Sequence, residues 1–270
     1  MNYDMIELKL KELSQWNAFL TVPVKLLVKF GNAVYLVSYR RSKKGVAEHM
    51  DNYLSLMMQS KLFEDFSNSD CKTIYSLLQP NLREFSRNEM IVNEGDRVED
   101  IGIVCSGRII SAKFDYLGNT HLMEILQSPM IFGIEIVTTP SQISPITMIS
   151  TENSSILVFS YHRFMAKDVL LDQFRVKVLN NIMHLLANEN VKKMYKIEVL
   201  SKRSLRNKIL IHLHLMEKKA GGSPFSIGMD REQFAQYLCV NRSALSHELS
   251  VMKKEGLIFF HKDLFTIFYQ

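Results

Sequence analysis

Residues 229–270 read MDREQFAQYLCVNRSALSHELSVMKKEGLIFFHKDLFTIFYQ. Asp230 stands where a helix needs its N-cap, and Gln233 follows at the spacing of a capping box. Phe234, Ala235 and Leu238 give the helix that opens there an apolar face. Cys239-Val240 breaks it, and Asn241 caps a second helix, Arg242–Glu255, whose apolar positions are Leu245, Leu249 and Met252. Lys253 and Lys254 suit its C-terminal end, and Gly256 stops it. Leu257–Phe260 and Leu264–Tyr269 then flank His261-Lys262-Asp263 as a hairpin. Two short helices across a tight break, followed by a hairpin, make a winged helix-turn-helix.

The outer face of the second helix carries Arg242, Ser243, Ser246, His247 and Ser250. An arginine pairs with both acceptors of a guanine edge, and serine or histidine donates to phosphates or bases. Asn241, Arg242, Ser243, Ser246 and His247 are therefore the candidate contacts to double-stranded DNA. The competing account of the same pattern is a small helical core with a polar outer face.

Upstream, Ser204–Lys218 reads as a helix with Leu205, Ile209, Leu213 and Met216 on one side, ended by the break Gly221-Gly222-Ser223-Pro224. Leu171–Leu200 has neither proline nor glycine. Its residues Val176, Leu179, Met183, Leu186, Asn190, Met194 and Ile197 fall at steps of three and four, the spacing of a helix–helix seam. Val178, Ile182 and Leu185 form a second apolar face. One face is expected to pack on the body of the chain and the other on a second copy. A two-fold dimer would read an inverted-repeat site.

From Leu82 to Ser160 the period shortens. The apolar runs Met90–Val92, Ile101–Cys105, Ile109–Phe114, His121–Leu126, Ile146–Ile149 and Ile156–Phe159 alternate with turn residues. Short strands so spaced predict an antiparallel sandwich or barrel, with Gly107 and Gly118 at hairpins that need a positive φ. Before them, Asp51–Ser60 and Ser69–Leu78 read as short helices, the second capped by Ser69 and ended by Pro80.

A chain that is 47% hydrophobic and 23% charged is globular, and its net charge of +5 is unevenly placed. Residues 1–49 carry +4, residues 50–200 carry −4 and residues 201–270 carry +5. A basic end on an acidic body suits a polyanion-binding module. Cys71, Cys105 and Cys239 are few, odd in number and scattered. That suits a reducing cytoplasm and offers neither zinc nor iron–sulfur spacing, so no cofactor or metal is expected. No cleavage site follows an apolar core at the N-terminus. Pro23, Lys25, Lys29, Gly31 and Asn32 interrupt the apolar run Ala18–Val37, which speaks against a membrane span.

Five short signatures occur in order: Asn93-Glu94-Gly95-Asp96, Ser106-Gly107-Arg108, Phe132-Gly133, Tyr161-His162-Arg163-Phe164 and Asn241-Arg242-Ser243-Ala244-Leu245-Ser246-His247. With them the chain from about residue 50 to 270 resembles the cyclic-AMP receptor protein/fumarate–nitrate regulator (Crp/Fnr) superfamily. The resemblance implies an α+β chain: an antiparallel, cupin-like β-roll sensor, a dimer helix, and a winged helix-turn-helix that binds promoters in response to an effector. On this reading 50–170 is the sensor, 171–200 the dimer helix and 201–270 the DNA-binding domain; 1–49 lies outside the resemblance, either a small appended element or a stretch upstream of a start at Met50, and is expected to be dispensable. RNA polymerase and a small-molecule effector are further partners within its scope.

By motif position Arg242, Ser243 and His247 match the family's base-contacting residues, and Cys239 stands at its turn glycine. Ser243 and His247 replace residues usual there, so the target site should differ. The sensor departs further. Nucleotide binders of this family carry Gly-Glu and then Arg-Ser or Arg-Thr. Here the stretch is Gly133-Ile134-Glu135 and Gln142-Ile143-Ser144-Pro145, with no arginine between Arg108 and Arg163. A phosphate there lacks its cation, so cyclic AMP is not the expected effector. That leaves the space between the β-roll and the Leu171–Leu200 helix for a small apolar or aromatic ligand. Three other accounts stay open: constitutive DNA binding with a purely structural roll, an interaction protein without DNA binding, and a cupin-like enzyme. The last needs clustered histidine and carboxylate ligands, and the β-region holds only His121.

Overall fold

The computed structural model describes residues 24–30, 33–39, 46–117 and 119–268, and the chain divides into two compact units, 1–52 and 53–270. In the first, β1 (Val24–Phe30) and β2 (Ala33–Tyr39) form an antiparallel hairpin in register Val24↔Tyr39. The apolar run ending at Val37 is thus strand in its described part. Helix α1 (Val46–Gln59) starts earlier than expected and crosses position 49/50. The charged stretch Arg40–Lys44 with Gly45, and the glycine at 118, lie outside the described residues.

The second unit continues through a 3-10 turn (Lys61–Phe63) into α2 (Asn68–Leu78). Its cap is Ser67 and not Ser69. The Ser67 hydroxyl accepts from the Asp70 amide, and the Asp70 carboxylate accepts from the Ser67 amide. This reciprocal box satisfies two amides that Ser69, one residue inside the helix, could not reach.

Two four-stranded antiparallel sheets follow. β3 (Asn81–Phe85), β10 (Ser154–Ser160), β5 (Asp100–Ser106) and β8 (Ile131–Phe132) make one, in that order. β4 (Met90–Val92), β9 (Thr147–Ser150), β6 (Arg108–Phe114) and β7 (Thr120–Gln127) make the other. All six expected strands are present. β3 and β8 escaped the reading because β3 is largely exposed and β8 is two residues long. Helix α3 (Ile134–Val137) leaves β8 through Gly133, and α4 (Tyr161–Met165) follows β10.

Phe159 on β10 meets Phe63 and Phe164 at centroid distances of 5.6 and 5.7 Å, all three buried. On this aromatic floor lies α5 (Asp172–Leu200), by Phe174, Val178 and Ile182. The Asn181 amide, also buried, donates to the carbonyls of Leu62 and Glu64 at 3.0 and 3.1 Å. The opposite side of α5 leaves Val176, Met183, Met194 and Ile197 61–66% exposed.

The C-terminal part holds α6 (Leu205–Ala220, capped by Ser204), β11 (Phe225–Ser226), α7 (Arg231–Leu238), α8 (Arg242–Lys254), β12 (Ile258–His261) and β13 (Leu264–Ile267). The three strands pair in the order β11-β13-β12. Ile209, Leu213, Phe234, Leu238, Leu245, Leu249, Met252 and Phe265 form its core. The same cluster takes in Leu122 of β7 and, half-buried, Ile110 and Ile125. The helix-turn-helix is therefore seated on the β6–β7 face of the β-roll.

Gly107, between β5 and β6, has φ +83°, and a Cβ there would meet the Ser154 hydroxyl at 2.2 Å and the Asn153 carbonyl at 2.6 Å. Gly95 also has positive φ, +91°, but open space. Gly107→Ala should therefore cost about 2–4 kcal/mol, and Gly95→Ala about 1 kcal/mol, by urea unfolding. Equal costs at the two positions would show that the collision is relieved cheaply.

Candidate nucleic-acid interface

Helix α7 begins at a full capping box: the Gln233 amide donates to Asp230, and the Asp230 amide to the Gln233 side chain. It ends at Cys239, at φ +54°, in the left-handed turn. Asn241 then caps α8. Its Oδ1 accepts from the Ser243 amide at 2.8 Å and from the Ser243 hydroxyl at 2.6 Å. Asn241 and the Ser243 hydroxyl thus spend hydrogen-bonding capacity on the helix start. Leu245, Leu249 and Met252 are fully buried, which fixes the rotation of α8. Arg242, Ser243, His247 and Ser250 are exposed, whereas Ser246 is half-buried and its carbonyl accepts from Ser250 Oγ.

Arg242 Nε lies 3.6 Å from Glu232 Oε2 of α7, with both side chains more than half exposed. Arg231 lies over the Phe260 ring at 4.8 Å; burial and then the charge of Arg242 pull its guanidinium pKa down. Lys253 stands over Phe259 at 4.4 Å. Arg206 of α6 reaches Glu248 and Glu255. The sequence reading singled out neither Glu232 nor Arg206, because each lies on an element other than the one it serves.

The seat on the sensor is polar at its edges. Arg108, at the start of β6, donates to the Gly228 carbonyl at 2.6 Å and to the Gln233 side chain at 3.3 Å. Lys196 of α5 donates to the carbonyls of Leu122 and Met123 on β7 and lies 4.4 Å over the Tyr237 ring of α7. This lysine touches sensor, long helix and helix-turn-helix at once. Beside it, Lys192 pairs with Glu124 at 3.4 Å and with Glu189, and Lys193 pairs with Glu135 at 3.7 Å. Burial, with the like charge of Glu189, pushes the Glu124 pKa up. The strip between the β-roll and α5, expected to offer an apolar ligand site, is thus lined with charge.

Between the two sheets lies a cavity of about 130 Å³, lined by Arg83, Arg97, Asp100, Gly102, Phe132 and neighbours. Small-molecule pockets run from about 300 Å³ upward, so this cavity is smaller than that range. Phe132 takes the room: its ring presses on Gly102, where a Cβ would come within 2.3 Å of it. The arginines at this cavity precede the stretch searched in the sequence, and both are engaged. Arg83 pairs with Asp100 at 3.0 Å, and Arg97 with Glu99 at 2.8 Å and Gln142 at 3.0 Å. A larger cavity of about 390 Å³ lies between the end of α5, α6 and the wing, lined mainly by Leu210, Ile211, Leu215, Leu257, Ile267 and Phe268. Among the described residues no three His, Cys, Asp or Glu stand together to hold a metal, and no helix is long and apolar enough to cross a membrane.

Residues 82–167 match the family model described as cyclic nucleotide-binding domain. Over a longer span, the global regulator CLP of Xanthomonas campestris superposes with a TM-score of 0.60 at 15% identity, covering 74% of this chain and all of that one. FixK2 of Bradyrhizobium japonicum gives 0.56 at 15%, covering 70% and 93%. A CRP/FNR-family transcriptional regulator of Thermus thermophilus gives 0.50 at 13%, covering 70% and 94%. This chain has the Crp/Fnr fold. The resemblance read from five short motifs holds at the level of architecture, from β-roll to winged helix. No curated protein matches the chain in sequence.

Two bases here, His212 buried and Lys196 half-buried, titrate outside their usual ranges. Burial, then the charge of Lys196, pulls the His212 pKa from 6.5 to about 4, and the ring lies tilted against Phe234 and Tyr237. Burial lowers the Lys196 pKa from 10.5 to about 8. In each case the unfolded chain binds the proton more tightly, so stability grows with pH across the gap between the two values. We expect stability to fall from pH 6.5 down to about 4 and to rise from about 8 up to 10.5. Thermal melts across pH test this: His212→Phe should flatten the acid limb and Lys196→Met the alkaline one. Unchanged limbs would overturn the assignment.

Proposed function

We propose that this chain is a dimeric, sequence-specific DNA-binding transcription regulator. The observation that carries the proposal is α8: its rotation is fixed by three buried side chains, and it holds Arg242 and His247 out to solvent beyond the helix-turn-helix break. Arg242 is the base reader, His247 and Ser250 supply further donors, and the net +5 of residues 201–270 supplies the attraction to phosphate. The solvent-facing side of α5, with Val176, Met183, Met194 and Ile197 bare and Leu179 and Leu186 half-buried beside Asn190, is the dimer seam. RNA polymerase and a small-molecule effector complete the partners. Control passes from sensor to reader through Arg108 and Lys196, which join β6 and β7 to α7. No enzymatic role is proposed.

A second reading is favoured by one observation, the Phe132 ring against Gly102. In it the β-roll is structural and DNA binding is constitutive.

Selection of duplexes from a random pool, followed by footprinting, tests DNA reading and symmetry together. The expected product is an inverted repeat with half-sites about one helical turn apart. Arg242→Ala should cost about 1–3 kcal/mol at that site and relax one base pair per half-site. A loss equal across all sequences would make Arg242 a phosphate contact, and a lone half-site would speak against the dimer. Calorimetry addresses the effector: cyclic AMP and cyclic GMP should give no heat of binding at micromolar concentration, and a saturable isotherm there would refute that part.

A further inference from the structure

We propose that Arg206 is a positioning residue for DNA reading, one that fixes the pitch of α8 in the groove through Glu248 and Glu255. The proposal rests on the DNA-binding reading above. Arg206 Nε donates to Glu248 Oε1 at 2.6 Å, while its two terminal nitrogens donate to the two oxygens of Glu255 at 2.8 and 3.1 Å. Three hydrogen bonds from one planar guanidinium to two carboxylates leave little freedom of rotation. Glu248 lies in the body of α8 and Glu255 is its C-cap, seven residues further on, so the two stand on one side of the helix two turns apart. Arg206 thus holds α8 at two points along its length from a single point on α6.

The placement is costly unless it serves that purpose. Arg206 sits in the first turn of α6, where the helix dipole disfavours a cation. The side chain is one-third exposed, so the network is accessible to solvent, and an isolated surface pair of this kind would add little stability. Its geometric effect is larger. Glu248 and Glu255 are the only acidic residues between Asn241 and Gly256, and they flank the face that carries His247 and Ser250. Left unpaired, they would set two negative charges beside the phosphate backbone. Bases are read only when the helix is held to within a fraction of an ångström; Leu245, Leu249 and Met252 fix the rotation of α8 about its axis, and the two anchor points on Glu248 and Glu255 add a restraint on its pitch.

The test measures affinity for the selected duplex and for a scrambled one, in wild type, Arg206→Ala, Arg206→Lys and the triple variant Arg206→Ala/Glu248→Gln/Glu255→Gln. Arg206→Ala should lower the ratio of selected to scrambled affinity by about tenfold, with circular dichroism and dimerisation unchanged. The triple variant should regain affinity for scrambled DNA, since the exposed carboxylates are gone, but not the ratio. Arg206→Lys should keep scrambled affinity and lose part of the ratio, because an ammonium cannot make the fork. Should Arg206→Ala fail to fold, the ratio of the triple variant, which carries no unpaired charge, decides. An unchanged ratio in Arg206→Ala, or a full ratio in the triple variant, would overturn the proposal. A wild type that selects no duplex would instead overturn the DNA-binding reading itself.

Discussion

The Asn181 amide donates to the carbonyls of Leu62 and Glu64 in the middle of an otherwise apolar contact. A primary amide buried without partners would cost more than the bonds gain, so this pair fixes the register of α5 on the 3-10 turn. Much else depends on that register. It turns Phe174, Val178 and Ile182 inward and Val176, Met183, Met194 and Ile197 outward. Four turns further on it delivers Lys196 to the point where β7 and α7 meet. A slip of one residue would rotate the helix by about 100° and carry its apolar face off the roll.

The junction around Lys196 joins polar and apolar coupling. Leu122, Ile110 and Ile125 of the β-roll belong to the hydrophobic cluster of the C-terminal part, so the two parts share packing as well as hydrogen bonds. Arg108 reaches the carbonyl of Gly228 and the same Gln233 that completes the capping box of α7. A displacement of β6 is therefore felt at the first turn of the helix-turn-helix. The charge lining the strip between roll and α5 makes that strip a mechanical contact in which opposite charges are already matched.

Much of this was legible in the sequence, for a physical reason. Capping residues and apolar periods are local, so Asp230 with Gln233, Asn241, Gly256 and the core positions of α8 fell where expected. The six strands with apolar runs were equally plain. β3 and β8 were not, because one is mostly solvated and the other too short to show a period. The Ser67 cap was missed by two residues because Ser67 and Ser69 offer the same hydroxyl and only backbone geometry distinguishes them. On α8, the outward placement of Arg242, Ser243 and His247 was legible. Arg206, Glu232, Arg108 and Lys196 were not, since their meaning comes from partners 10 to 125 positions away.

Gly102 and Phe132 have a consequence of a different kind. A methyl group at Gly102 would collide with the ring of Phe132, its cross-strand partner, and both residues line the small cavity of the roll. Neither position can drift alone: a larger residue at 102 is tolerated only after 132 has become smaller, and a smaller residue at 132 leaves a hole beside the bare glycine. The pair is thus an epistatic lock. It makes the first substitution at either position unfavourable, whichever of the two changes first.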